Sequence, residues 1–145
     1  MFETLYEISK TAPFDIKTTE AQHYRRFVAQ RRKAGDKVGP VATSIQRQAG
    51  INDGKGFVFI SHTGEVFPSG FLPVAAGNVR QHLIGDLYRS TELFRVLRNS
   101  DNLGGKCGLC EYRNLCGGSR SRAYALTGDF LAEDPRCVYV PAASA

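Results

Sequence analysis

The sequence predicts a small α+β fold in which a β-hairpin and short helices surround a four-cysteine metal site. Three observations carry this reading. The run Phe57-Val58-Phe59-Ile60 is rich in β-formers, and Ser61 to Gly64 supplies turn residues before Glu65-Val66-Phe67, the pattern of a hairpin. Two stretches, one opening at Thr19 and one from Asp86 to Asn99, space their apolar residues as helices do. All four cysteines, Cys107, Cys110, Cys116 and Cys137, fall in the last third of the chain, which is also dense in glycine.

Each element follows in order. Phe2 to Ile16 shows no clear period, and Pro13 interrupts any helix there. Thr19-Glu20-Ala21-Gln22 has the form of a capping box. Ala21, Tyr24, Phe27 and Val28 then share one face, and Gly35 is the stop. The cations Arg25, Arg26, Arg31, Arg32 and Lys33 read as a solvated or docked face in preference to an anion-binding one. Residues 39–55 read as a polar loop with one short helical turn. Phe71 to Ala76 is expected as a further strand and Gly77-Asn78 as a turn. Phe57, Phe59 and Phe67 are expected in the core under the metal site. Asp86 to Asn99 is expected helical, with Ser90 or Thr91 as a cap and Leu93, Phe94 and Leu97 as its apolar stripe. Ser119 to Leu126 reads as a short helix ended by Gly128, and Asp134-Pro135 as a turn that delivers Cys137. His62 and His82 stand in turn regions, away from ligand spacing, and read as surface residues.

A chain of 145 residues suits one ordinary domain. Its apolar fraction of 42% and charged fraction of 23% are those of a globular protein. No apolar run approaches the roughly 20 residues of a membrane span, and Met1 to Lys10 lacks the apolar stretch of an export signal. A cytoplasmic location is therefore expected. There, four cysteines are metal ligands or reactive thiols more often than disulfides. The net charge of +5 comes from basic residues spread over several segments, so it reads as surface solvation and not as a nucleic-acid interface.

The cysteine spacing is Cys107-x2-Cys110-x5-Cys116-x20-Cys137. A two-residue gap lets two thiolates meet on one metal or one cluster. Gly108, Gly117 and Gly118 allow close backbone approach, with N–H groups aimed at sulfur. Zinc with four thiolates and a cubane with four thiolates are both anionic, and Lys106, Arg113, Arg120 and Arg122 lie near enough in sequence to offset either charge. Zinc sites commonly use two short knuckles, whereas this chain has one Cys-x2-Cys pair and two cysteines at unpaired spacings. Spacing alone leaves zinc and iron–sulfur about even.

The stretch Cys107-Gly-Leu-Cys-Glu-Tyr-Arg-Asn-Leu-Cys-Gly-Gly-Ser-Arg-Ser-Arg-Ala-Tyr-Ala-Leu-Thr-Gly-Asp129, followed by Glu133-Asp-Pro-Arg-Cys137, resembles the C-terminal SPASM region of radical SAM enzymes. The resemblance is closest to the branch holding mycofactocin-type peptide maturases and the haem-modifying enzymes. Phe14-Asp-Ile-Lys-Thr-Thr-Glu20 with His23-Tyr-Arg-Arg26 resembles the end of the catalytic barrel and the linker after it. Gly64-Glu-Val-Phe-Pro-Ser-Gly-Phe71 with Gly77-Asn-Val-Arg80 resembles the hairpin that opens the SPASM region. The implied organisation is a barrel-end remnant and linker helix over 1–50 and an auxiliary-cluster domain over 51–145.

The resemblance implies that Cys107, Cys110, Cys116 and Cys137 bind one auxiliary [4Fe–4S] cluster. A second auxiliary cluster would need cysteines flanking the hairpin and one at the position of Arg120, and this chain has none there. The Cys-x3-Cys-x2-Cys motif of the SAM-cleaving cluster is absent as well. SAM chemistry is thus expected only through a radical SAM barrel outside this sequence, acting on a peptide or a tetrapyrrole, with the cluster in electron transfer. The chain alone is not expected to cleave SAM, and an apolar patch is expected near the N-terminal helix. The competing reading is a structural four-cysteine zinc module that binds nucleic acid or protein through Arg25, Arg26, Arg31, Arg32 and Lys33.

Overall fold

A computed structural model describes residues 1–14, 16–36 and 51–144. Its described elements are α+β: six α-helices and one three-stranded antiparallel sheet of order β1-β2-β3. The expected loop over 39–55 lies largely outside the described residues.

The N-terminal segment forms a helix, α1 (Phe2–Thr11), where none was expected. Phe2, Leu5 and Tyr6 stand at helical spacing and pack on α2 (His23–Lys33), which is what holds the turn sequence helical. Pro13 lies just beyond the end of α1, as its missing N–H requires. Tyr6, Tyr24 and Val28 form the buried centre of this helix pair, and Phe2 and Phe27 pack around it. The face expected for α2 is thus the one it buries.

The capping box is not formed. The α2 helix begins at His23 with no side-chain cap, and Glu20 adopts φ +54° instead of helical geometry. The cause is tertiary: the Glu20 carboxylate accepts from the hydroxyls of Ser119 and Ser121, and its carbonyl accepts from Arg122 Nη1. These bonds draw the backbone out of the helical path and tie the start of α2 to the cysteine-bearing half of the chain.

Strand β1 (Phe59–Ile60) pairs with β2 (Glu65–Phe67), Phe59 opposite Phe67 and Ile60 opposite Val66. Strand β3 (Gly77–Asn78) joins β2 on its other side. The hairpin is where the sequence puts it, but the third strand is displaced: Phe71 to Ala76 is irregular, and Gly77-Asn78 forms the strand. The aromatic residues also differ from expectation. Phe57 and Phe59 are 43% and 45% exposed. Side chains alternate along a strand, and here Val58 and Val66 take the inward positions. Val66, Leu87 and Phe94 form the second core cluster.

The helical stretch after β3 is two helices, α3 (Ile84–Ser90) and α4 (Glu92–Arg98). Thr91 between them is extended, and its hydroxyl donates back to Leu87 O at 2.7 Å instead of capping α4. Phe94 and Leu97 are buried as the stripe predicts. The chain then enters α5 (Gly105–Leu109), which carries Cys107, and α6 (Arg120–Thr127), which Ser119 caps by accepting from Arg122 N. Gly128 ends α6 in the left-handed region. Met1, Ile8 and Phe14 are exposed apolar side chains of the N-terminal segment. No helix of the described residues is long and apolar enough to cross a membrane.

Candidate metal centre

All four cysteines are free thiols and all line one cavity that opens to solvent. His23, Arg26, Lys106, Arg113, Gly118 and Tyr139 also line it. The structure therefore brings together residues from α2, from α5 and the loop after it, and from the C-terminal segment. Cys107 and Cys116 are buried, whereas Cys110 and Cys137 are half-buried. Among the described residues, no three His, Cys, Asp or Glu side chains converge closely enough to grip a single ion. The thiols are spread around a space.

Local backbone geometry explains how each thiol is aimed. Cys107 sits on α5, and Gly108 beside it leaves no room for a side chain, since a Cβ there would stand 2.0 Å from Leu103 O. A turn after Cys110 sends Tyr112 N to Cys110 Sγ at 3.4 Å, the N–H···S bond that a Cys-x2-Cys loop offers. Gly118, at φ +62°, passes so close to Cys107 Sγ that a Cβ would lie 3.1 Å from it. Asp134 N donates to Cys107 Sγ at 3.3 Å, and Asp134 O accepts from Cys137 N at 3.1 Å. One turn thus serves two cysteines.

The charged surroundings are denser than the sequence suggests. Arg120 is 2% exposed, and its Nη2 lies 3.6 Å from Cys107 Sγ. Asp134 is fully buried and receives Arg122, Ser119 N and Arg136 N, with His23 Nε2 at 3.0 Å but off the line of a well-formed hydrogen bond. Burial works against its ionisation, yet His23, Arg122 and the backbone donors outweigh burial and hold the carboxyl well below its usual range. The Asp134 carboxylate, and after it the Cys137 thiol, raise His23 to about 9. His23 in turn pulls the Cys137 thiol down, against its burial. Burial pushes Cys116 up to about 11, opposed by the Gly118 N–H, and it raises Cys110 also. Burial of this kind favours protonated thiols, and metal loading would have to displace those protons.

Of the basic residues that the sequence places near the cysteines, Arg120 points inward, Arg122 binds Asp134, Arg113 pairs with Asp101, and Lys106 donates to Cys137 O. His62 and His82 are exposed, as expected. His23, Arg26 and Asp134 are the site residues that spacing does not reveal. His23 and Arg26 are remote from every cysteine in sequence and reach the cavity only because α2 docks there.

No family model matches the chain. Comparison with known proteins gives 43% identity over 94% of this chain to an AdoMet-dependent heme synthase of Methanosarcina barkeri, of whose length the match covers 40%. The chain is homologous to radical SAM enzymes of the haem-synthase kind. A pre-heme d1 synthase of Dinoroseobacter shibae is 35% identical over 68% of the chain and 25% of its own length. A PqqA peptide cyclase of Granulibacter bethesdensis is 32% identical over 59% of the chain and 24% of its own length. The chain thus spans about two fifths of the length of the haem synthase it matches, and a quarter of the other two. The resemblance read from the cysteine segment is borne out.

Proposed function

We propose that Cys107, Cys110, Cys116 and Cys137 hold one auxiliary [4Fe–4S] cluster, and that the chain is the cluster-bearing part of a radical SAM enzyme acting on a tetrapyrrole. The observation that carries this is the single cavity lined by all four free thiols. Tetrahedral zinc would draw four sulfurs onto bonds of about 2.3 Å to one point. Thiols ranged around a space suit a multinuclear group better, and the N–H donors at Tyr112, Gly118 and Asp134 are those that anionic cluster thiolates require.

Such a cluster supplies one-electron transfer. The chain's own residues do the rest. The four cysteines would supply one thiolate to each iron of such a cluster, which would leave no iron free for direct substrate ligation. His23 and Lys106 pin the Cys137 segment, by the imidazole beside its thiol and by Nζ to its carbonyl at 3.0 Å. Buried Cys107 and Cys116 keep water from one side of the cavity. The haem synthases match nearly the whole chain while the peptide cyclase matches little more than half of it, which favours a tetrapyrrole over a peptide. The division into a barrel-end and linker part over 1–50 and a cluster domain over 51–145, a barrel as partner, and a cytoplasmic setting belong to the same proposal.

The test is anaerobic purification of the chain with iron, sulfide and zinc analysis and a visible spectrum. About four iron and four sulfide per chain, with broad thiolate-to-iron absorption, is the expected result. A colourless protein with one zinc would overturn the proposal and leave a structural zinc–thiolate module. Turnover of SAM by the chain alone would sink the assignment of that step to a barrel elsewhere.

A further inference from the structure

Two buried guanidinium groups stand beside the cavity without a carboxylate. Arg120 is 2% exposed, and among the described residues its guanidinium donates to the carbonyls of Phe130 and Ala132, at 2.9 and 2.7 Å from Nη1, and to Cys107 Sγ. Its Nε has no partner. Arg26 is 9% exposed, lines the cavity, lies over the Tyr139 ring at 4.4 Å, and donates to Gln30 Oε1 at 2.8 Å. Its Nε is also unpartnered. Among the described residues, neither forms an ion pair with Asp or Glu.

Arginine does not lose its proton in proteins. A buried cation without a counter-charge is costly, and a negative group in the cavity beside both guanidiniums would offset that cost. The acidic groups already there do not do so. Asp134, the fully buried carboxylate beside the cavity, is committed to Arg122 and His23, while Glu111 and Glu133 are bound to Tyr139 and Lys106.

We infer that Arg26 and Arg120 are the dedicated counter-ions of the cluster, and that together they raise its reduction potential. The inference rests on the cluster proposed above. Reduction adds one electron and one negative charge to the cluster and its four thiolates. Fixed, buried cations stabilise the more negative, reduced state more than the oxidised one. Arg120 reaches Cys107 Sγ, and Arg26 lines the same cavity beside Tyr139. These two are positioning residues: they set the potential without ligating iron. Arg95 on α4 is exposed and lies outside the cavity wall, so the same loss of charge there is the control.

The experiment is a redox titration of the loaded 145-residue chain and its R26Q, R120Q, R120K and R95Q variants, with iron and sulfide counted in each. R26Q and R120Q should each shift the potential negative by a tenfold or greater change in the reduction equilibrium, about 59 mV for one electron. R120K, which keeps the charge, should show little of that shift, and R95Q should leave the potential near that of the parent. Equal potentials in R26Q, R120Q and the parent, all fully loaded, would overturn the inference while leaving the cluster itself established. A parent chain without iron and sulfide would instead fail the underlying proposal. Should R120Q not load, R26Q still decides, and so does thermal melting of the metal-free chains. There R120Q should melt no lower than the parent, because it removes an uncompensated cation. A lower metal-free melting temperature for R120Q would count against the counter-ion role.

Discussion

Arg122 grips both oxygens of the Asp134 carboxylate, Nε to Oδ1 at 3.1 Å and Nη2 to Oδ2 at 2.7 Å. The carboxylate is fully buried and the guanidinium only partly so. Through this fork the start of α6 is fixed to the turn that places Cys137, and Asp134 N reaches Cys107 on the other side. Asp134→Asn would leave Arg122 and His23 facing a neutral amide. It should destabilise the loaded protein by about 3 kcal/mol, the lower end for a broken buried pair because Arg122 keeps some solvent. Urea unfolding followed by circular dichroism reads this directly. A loss below about 1 kcal/mol would show that the fork is dispensable.

Two glycine-to-alanine substitutions separate crowding from backbone strain. Gly108→Ala puts a methyl 2.0 Å from Leu103 O, a backbone atom that cannot step aside without moving α5. The chain should lose cluster content and fold poorly. Gly128→Ala at the end of α6 meets nothing within 4 Å, but φ there is +76°. Its cost should be about 1 kcal/mol, with full cluster content. Iron analysis beside a thermal melt distinguishes the two, and similar behaviour of both variants would refute the crowding argument at Cys107.

How much of this was legible in the sequence depends on the range of the interaction that decides each element. The hairpin is local: β-formers flank turn residues, and β1 and β2 form where that pattern lies. The cysteine loop is local too, and its spacing pointed to one site. The capping box at Thr19 failed because Glu20 is claimed by Ser119, Ser121 and Arg122, partners that no window around α2 contains. His23 and Arg26 were invisible as site residues for the same reason. Helix α1 is not legible in the sequence because three apolar positions, Phe2, Leu5 and Tyr6, are too few to set a period, and their burial depends on α2. The inward choice of Val58 and Val66 over the larger phenylalanines is set by register against α3 and α4, which composition does not encode.

Asn52 is a clip between three segments. Its Oδ1 accepts from Gln22 Nε2 at 3.2 Å and from Asp53 N at 2.9 Å, while its Nδ2 donates to Gly118 O at 2.7 Å. Asn52→Ala should cost about 2 kcal/mol through the partners left unsatisfied. Asn52→Asp should cost more, since it sets a buried carboxylate against the Gly118 carbonyl and removes the donor. Chemical denaturation ranks the pair. Finding the aspartate variant equal to or more stable than the alanine variant at neutral pH would reject this assignment of the amide.

The two apolar clusters lie apart from the thiol cavity, and this predicts how the protein responds to losing its metal. Tyr6, Tyr24 and Val28 hold α1 on α2, and Val66, Leu87 and Phe94 hold the sheet on α3 and α4; none of them lines the cavity. Chelation should therefore leave most of the far-ultraviolet helical signal. It should also lower the melting temperature by more than a few degrees, because ligand binding to the native state is lost and the arginines beside the cavity lose their counter-charge. Phe94→Ala should do the converse. It removes a fully buried ring at a cost of about 3–5 kcal/mol, yet the folded fraction should keep its iron and its spectrum. Complete loss of helical signal on chelation would mean that the thiol site, and not the two apolar clusters, nucleates the fold.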